Sequence, residues 1–106
     1  MQLDVAELRR ITEKLVGFLE ASNVNHVKID MDYYWNIPVA EKYDIYNKPA
    51  NFDIGQISDD WQELVDMSSS EDDPILYNFV WLASVLRAVG EIDPSMLLKQ
   101  SDRENS

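Results

Sequence analysis

Apolar residues in the first twenty positions follow a helical period. They recur at three- and four-residue spacing at Leu8, Ile11, Leu15, Phe18 and Leu19. This spacing is typical of one apolar face of an α-helix. Asp4 and Glu7 have the spacing of a capping box, and Ser22 with Asn23 offers a stop. The sequence therefore predicts a helix over residues 5–21.

The period then changes to two, which is typical of a half-buried β-strand. One set of alternating positions comprises Val27, Ile29, Met31, Tyr33 and Trp35. The other set comprises Lys28, Asp30, Asp32, Tyr34 and Asn36. Because the first set is the more apolar, we expect it to enter the core, which leaves Asp30, Asp32 and Tyr34 facing solvent. Pro38 ends the strand, since proline cannot donate a ladder hydrogen bond.

Shorter signals follow this strand. Pro38 can begin a helical turn that reaches Tyr43. Phe52 and Ile54 indicate a second short strand, and the neighbouring Gly55 favours a turn or bulge. We expect the second strand to pair antiparallel with the first.

The next helix is predicted to begin at Ser58, a typical N-cap residue. Asp59 and Asp60 then lie in the first turn, where carboxylates interact favourably with the helix dipole. Its apolar face is formed by Trp61, Leu64 and Val65. We expect it to end near Met67.

The last long helix is apolar nearly all round. Asp73 followed by Pro74 is a start signal, and Gly90 is a natural C-cap. The apolar positions are Ile75, Leu76, Phe79, Val80, Trp81, Leu82, Val85, Leu86 and Val89. A helix of this kind must be covered on most sides. We expect it to be the central element of the fold or, through Ile75–Val89, the interface of a homodimer.

These elements predict a mostly helical α+β fold. It has an N-terminal helix, a short two-stranded antiparallel element and two further packed helices. The chain has 106 residues, a length that suits one domain. We expect a single globular domain over residues 1–98, with a turn at Asp93 and Pro94, and a frayed polar tail over residues 99–106.

Composition narrows the class of protein. The chain has no cysteine, so it has no disulfide framework and no thiol nucleophile. It opens with no secretory signal, and the run Ile75–Val89 is shorter than the ~20 residues that a membrane crossing needs. We therefore expect a cytoplasmic protein that does not insert into a membrane.

The charge is strongly negative and unevenly placed. Twenty acids against nine bases give a net charge of −11, and no Lys or Arg occurs between Lys48 and Arg87. Binding to nucleic acid or to an anionic membrane requires clustered Lys and Arg, so we expect neither. Complementary fields favour a basic protein partner. The alternative is that the acidic surface only keeps the protein soluble.

Candidate catalytic and metal-binding groups are few. Asp30 and Asp32, with Asp59 and Asp60, could supply oxygen ligands to Mg²⁺ or Ca²⁺, but no EF-hand loop is present and helix capping already explains the second pair. His26 is the only histidine and lies near no nucleophile motif. We expect no catalytic residue, no metal and no cofactor. A small metal-dependent enzyme that uses these aspartates is kept as an alternative.

Aromatic residues supply candidate anchors for a partner. Tyr and Trp are enriched at protein interfaces because they bury a large area and keep a polar end. We expect the partner-binding residues to be Asp30, Asp32, Tyr34, Tyr46, Asp59 and Asp60. Tyr34 is the first choice of anchor and Tyr46 the second.

The runs at residues 34–38, 54–61 and 80–83 resemble those of small acidic bacterial proteins of unknown activity. The resemblance implies a binding protein of the kind that neutralises toxins, as bacterial immunity proteins do. The sequence thus predicts a non-enzymatic module, of immunity or inhibitor type, that presents an acidic, aromatic-bearing face to a basic protein. A structural subunit that only forms oligomers is a further alternative.

Overall fold

A computed structural model describes residues 1–99 of the chain, and it confirms the α+β class. The helices in this range are α1 (Val5–Ala21), α2 (Val39–Lys42), α3 (Ile57–Ser69) and α4 (Tyr77–Glu91). The strands are β1 (Val24–Val27), β2 (Tyr33–Asn36), β3 (Asp53–Gln56) and β4 (Leu97–Lys99), and a 3₁₀ turn spans Pro94–Met96. Of the predicted tail over residues 99–106, Lys99 belongs to β4, and residues 100–106 lie outside the described residues.

Contacts divide the chain into two compact units. Within the described residues, the terminal unit comprises residues 1–28 and 92–99, and the central unit comprises Ile29–Glu91. Each unit contains one two-stranded antiparallel sheet. The prediction of a single domain stays a prediction.

The terminal unit begins with α1, whose predicted range is confirmed. The Asp4 carboxylate accepts a hydrogen bond from the backbone N–H of Glu7 over 3.2 Å, as an N-cap does. The helix ends at Ala21 with Ser22 as its C-cap, and Asn23 adopts a left-handed conformation at φ 61°, which asparagine tolerates better than most residues. This turn leads directly into β1, where Val24 is buried.

Strand β4 was not predicted. It pairs antiparallel with β1, which brings Val27 opposite Leu97 and His26 opposite Leu98. The turn before it was predicted, and Asp93 caps that turn by accepting a hydrogen bond from the N–H of Ser95 over 2.9 Å. The expected long strand over residues 27–36 is thus wrong, because β1 and β2 are separate strands in different sheets.

The central unit confirms the predicted pairing of the two short strands. β2 and β3 are antiparallel, with Tyr34 opposite Gly55 and Trp35 opposite Ile54. The predicted inner and outer faces of β2 are wrong. Tyr33 and Trp35 are each 68% exposed, whereas Tyr34 is half-buried and packs against the core. Because alternate side chains point to opposite faces, a shift of one position exchanges the two sets.

Helices α3 and α4 pack together and contribute the core of the central unit. The buried hydrophobic residues there are Ile57, Leu64, Val85 and Ala88. Half-buried side chains surround them, among them Ile29, Tyr34, Met67, Trp81 and Leu82. The apolar area is therefore concentrated where the inner face of β2 meets two helices, and it stabilises the unit in proportion to the area removed from water.

Helix α4 differs from its prediction at both ends and on its outer face. It begins at Tyr77 rather than after Asp73, and the buried Asn78 accepts a hydrogen bond from the N–H of Ile75 over 2.8 Å. Gly90 lies inside the helix. Phe79 is 62% exposed, so the expectation that α4 is covered on most sides is wrong and the dimer interface stays a prediction. Among residues 1–99, no helix is both long and apolar enough to span a membrane.

A substitution at Gly55 tests whether the side chain of Tyr34 points inward. A Cβ atom added at Gly55 would overlap the Tyr34 ring, so Gly55→Ala should lower the free energy of unfolding by about 1–3 kcal/mol. Gly90→Ala is the matched control, since nothing lies within 4 Å of its added Cβ. A helical alanine there should stabilise the protein by roughly 0.5–1 kcal/mol.

Urea denaturation followed by tryptophan fluorescence measures both changes, because Trp35, Trp61 and Trp81 all lie in the central unit. Equal midpoints for the two variants would contradict the inward position of the tyrosine.

Candidate protein-binding site

A buried hydrogen-bond network joins β2, α3 and α4. Asp60 is only 6% exposed, and its Oδ2 atom accepts a hydrogen bond from the Tyr34 hydroxyl over 2.6 Å. The Ser84 hydroxyl lies 2.5 Å from the same oxygen and donates to it, and it also lies 2.8 Å from the carbonyl oxygen of Trp81. A buried carboxyl group is costly unless it is hydrogen-bonded, so these donors are required for Asp60 to remain in the core.

The network alters the chemistry of Tyr34. Burial, followed by the hydrogen bond to Asp60 and the charge of Asp60, raises the pKa of its hydroxyl to about 12. A phenolate at this position would lose solvation and would face a carboxylate. Tyr34 is therefore a hydrogen-bond donor that holds β2 against α3, and its predicted role as an outward anchor rests on the wrong orientation.

Asp32 has a second structural role. Its carboxylate accepts hydrogen bonds from Gln56 Nε2 over 2.7 Å and from the N–H of Ser58 over 2.8 Å. Its backbone carbonyl accepts a hydrogen bond from the N–H of Ile57 over 2.7 Å. Asp32 thus caps α3 from another part of the chain, which corrects the prediction that Ser58 is the N-cap. The hydrogen bonds from Gln56 and Ser58 hold the pKa of Asp32 below its ordinary value.

The six predicted binding residues therefore divide into two groups. Tyr34 and Asp60 contact each other in the interior of the central unit, and the half-buried Asp32 caps α3. Asp30, Tyr46 and Asp59 are exposed. Tyr46 is 90% exposed and follows a turn in which its N–H donates to Asp44. The second choice of anchor is thus accessible, and the first is not.

The exposed face of the β2–β3 pair carries large apolar side chains. We call this set the aromatic platform, and it comprises Tyr33, Trp35, Phe52 and Ile54. Each member is more than half exposed. The rings of Trp35 and Phe52 meet edge to face, with 4.8 Å between their centroids. The alternation of β2 already contained this surface, but Tyr33 and Trp35 were expected in the core.

The exposed side of α3 carries acids at helical spacing. We call Asp59, Glu63 and Asp66 the acidic stripe, since four and three residues separate them and all three are exposed. Among residues 1–99, the ion pairs join Arg10 to Glu7 and Arg87 to Glu91. No base in the described chain therefore pairs with the acidic stripe.

The central unit carries most of the charge. It contains thirteen acids and three bases, which gives a net charge of −10. Its fold thus combines an acidic surface with an exposed aromatic one. The arrangement can attract a cationic surface at long range and bury apolar area at short range.

The aspartates proposed as metal ligands do not form a ligand set. Asp32 and Asp60 belong to two separate hydrogen-bond networks, and Asp30 is exposed. Within residues 1–99, no group of three or more His, Asp or Glu side chains is placed to hold a metal ion. The described part of the chain therefore contains no metal-binding cluster that a metal-dependent enzyme could use.

Comparison with protein-family models, with curated proteins and with solved structures found no match. The resemblance to small acidic bacterial proteins stays a prediction. A functional proposal is therefore supported by the residues of the central unit and not by similarity to a known protein.

The raised pKa of Tyr34 makes the stability depend on alkaline pH. The folded pKa of about 12 lies above the ordinary value of 10.0, so the protonated hydroxyl stabilises the fold fully below pH 10. This contribution is lost as the pH rises from 10 through 12. In Tyr34→Phe, that part of the pH dependence should disappear.

Urea denaturation at several pH values between 8 and 12 is the required measurement. Tyr33→Phe is the control, because it removes a hydroxyl from an exposed ring on the same strand. An identical loss of stability at high pH in wild type and Tyr34→Phe would contradict the assignment.

Proposed function

We propose that the protein is a non-enzymatic binding module whose central unit docks a basic protein on the aromatic platform. The exposure of Trp35 on β2 and of Phe52 just before β3 carries the proposal. Contiguous apolar surface of this kind is uncommon on a monomeric protein and is typical of interaction sites. Residues that anchor interfaces are enriched in tryptophan and tyrosine.

The platform is suited to binding because its side chains are already ordered. Trp35 and Phe52 hold each other edge to face, and cross-strand pairing places Ile54 beside Trp35. Less conformational entropy is lost when ordered rings are covered than when mobile side chains are. Burial of these rings by a partner can therefore supply affinity.

Electrostatics indicates the class of partner. The net charge of −10 on the central unit repels acidic proteins and nucleic acids and attracts basic proteins. The acidic stripe is the densest exposed acidic group on one helix face, and its charges have no base to neutralise them in the described chain. Exposed charges act mainly on the rate of encounter and are screened by salt.

The more specific form of the proposal is an immunity or inhibitor protein. A small acidic module that covers a functional surface of a basic protein would neutralise it without any chemistry of its own. We place this activity in the bacterial cytoplasm, on the acidic and cysteine-free composition. Oligomerisation is a second candidate function, favoured by the exposed Phe79 and Leu86 on α4.

A partner captured at low salt tests the proposal quantitatively. Once it is purified, its binding to wild type and to Trp35→Ala with Phe52→Ala is measured by surface plasmon resonance. Loss of two anchors should raise the dissociation rate at least tenfold. Leu3→Ala, an exposed apolar residue in the terminal unit, is the control and should leave that rate unchanged. Undiminished binding by the double variant would exclude the platform.

The acidic stripe has its own test with the same partner. Asp59→Asn, Glu63→Gln and Asp66→Asn together should lower the association rate and flatten its dependence on salt, with little effect on dissociation. Tyr34, Asp32 and Asp60 are left intact, because changes there alter the fold. Association rates that are flat with salt in the wild type would refute electrostatic steering.

A further inference from the structure

The central unit contains a groove that shares Tyr33 and Trp35 with the aromatic platform and extends from them to α4. It has a volume of about 630 Å³ and lies between β2 and α4. Cavities of roughly 300–1,000 Å³ are typical of ligand sites. On the α4 side, Phe79, Ala83 and Arg87 line it at helical spacing, so one face of the helix forms a wall.

The other wall is the edge of strand β2. All four residues of the strand, from Tyr33 to Asn36, line the groove. Alternate side chains of a strand point to opposite faces, so a groove that all four residues reach must run along the edge of the strand. Within the described residues β3 is the only partner of β2, and the edge that faces α4 has no strand beside it.

The four-residue strand β2 carries no charged residue, proline or bulge that would oppose pairing at its edge. Natural edge strands are blunted by charged residues, prolines or bulges. Residues 33–36 contain none of these, and their pairing with β3 is regular. The edge is therefore competent to accept a further strand through its free backbone N–H and C=O groups.

The charge around the groove is opposite in sign to that of its surroundings. The central unit has only three bases, and two of them, Lys42 and Arg87, line the groove. Glu91 is the only acid among the lining residues, and it is paired with Arg87. A carboxylate is repelled by most of the unit, but it can be accommodated here.

From these observations we propose that the groove binds an extended apolar peptide segment that adds to the edge of β2 and carries a carboxylate toward Lys42 and Arg87. Main-chain hydrogen bonds supply the orientation, and the apolar walls take alternate side chains of the segment. This inference rests on the proposed function, since the segment is the part of the partner that the module grips.

A defined peptide tests the proposal directly. The probe is an acetylated hexapeptide of alternating threonine and valine with a free C-terminal carboxylate. On binding, nuclear magnetic resonance should show slowed hydrogen exchange at those β2 amides that do not pair with β3. The same peptide with a C-terminal amide should bind about tenfold more weakly. No binding, or binding without protection of β2 amides, would overturn the proposal.

Substitutions distinguish peptide binding in the groove from peptide binding elsewhere on the surface. Ala83→Glu places bulk and negative charge in the groove at an exposed helix position and should reduce peptide affinity at least tenfold. Leu86→Glu adds the same side chain to the same helix outside the groove and should have little effect. Lys42→Gln with Arg87→Gln should remove the preference for the carboxylate peptide over the amide. If the double variant still prefers the carboxylate peptide, then Lys42 and Arg87 do not bind the carboxylate.

The purified basic partner distinguishes this inference from the proposed function. If the partner binds Ala83→Glu as tightly as wild type but loses affinity for Trp35→Ala, the groove proposal fails and the platform stands. If the hexapeptide pairs with β2 while no basic protein binds, the groove stands and the proposed function fails.

Discussion

The structure of the central unit depends on the hydrogen bonds to Asp60. A carboxyl group that is almost fully buried needs donors, and among residues 1–99 Tyr34 and Ser84 donate to it. The tyrosine must therefore face inward. Because side chains alternate along a strand, Tyr33 and Trp35 must then face outward. One buried acid thus decides which aromatic residues a partner can reach, although it contacts neither of them.

Two neighbouring features make this arrangement possible. Gly55 lies opposite Tyr34 and leaves room for the ring that a Cβ atom would occupy. Asp32 binds the first turn of α3 and joins the start of β2 to the helix that carries Asp60. Strand β2 is positioned by three residues, namely Asp32, Gly55 and Asp60. The effects on stability of substitutions at these residues should therefore not be additive.

Local signals made α1 predictable to the residue, since its cap, its apolar stripe and its stop are all encoded within 20 residues. The pairing of β2 with β3 was predictable for the same reason. The orientation of β2 was not, because three aromatic residues in a row give both faces an apolar character, and the choice depends on Asp60, 26 positions away. Strand β4 pairs with β1 across most of the chain and has no local signature. For the site, exposed acids such as Asp59 were predictable from charge, and the platform was not.

The exposed aromatic surface has a cost in stability. Trp35, Phe52 and Phe79 are more than half exposed, and covering such rings would stabilise a unit whose described core has few buried residues. Proteins lose stability at functional sites and recover it elsewhere. Here the recovery comes from polar contacts, since the Asp60 and Asp32 networks tie β2 and β3 to the helices without using the apolar face of the sheet. Because hydrogen bonds in the interior hold β2 against the helices, the outer aromatic face and the free edge of the strand are both available. Holding β2 by apolar packing would have required its outer aromatic residues in the core.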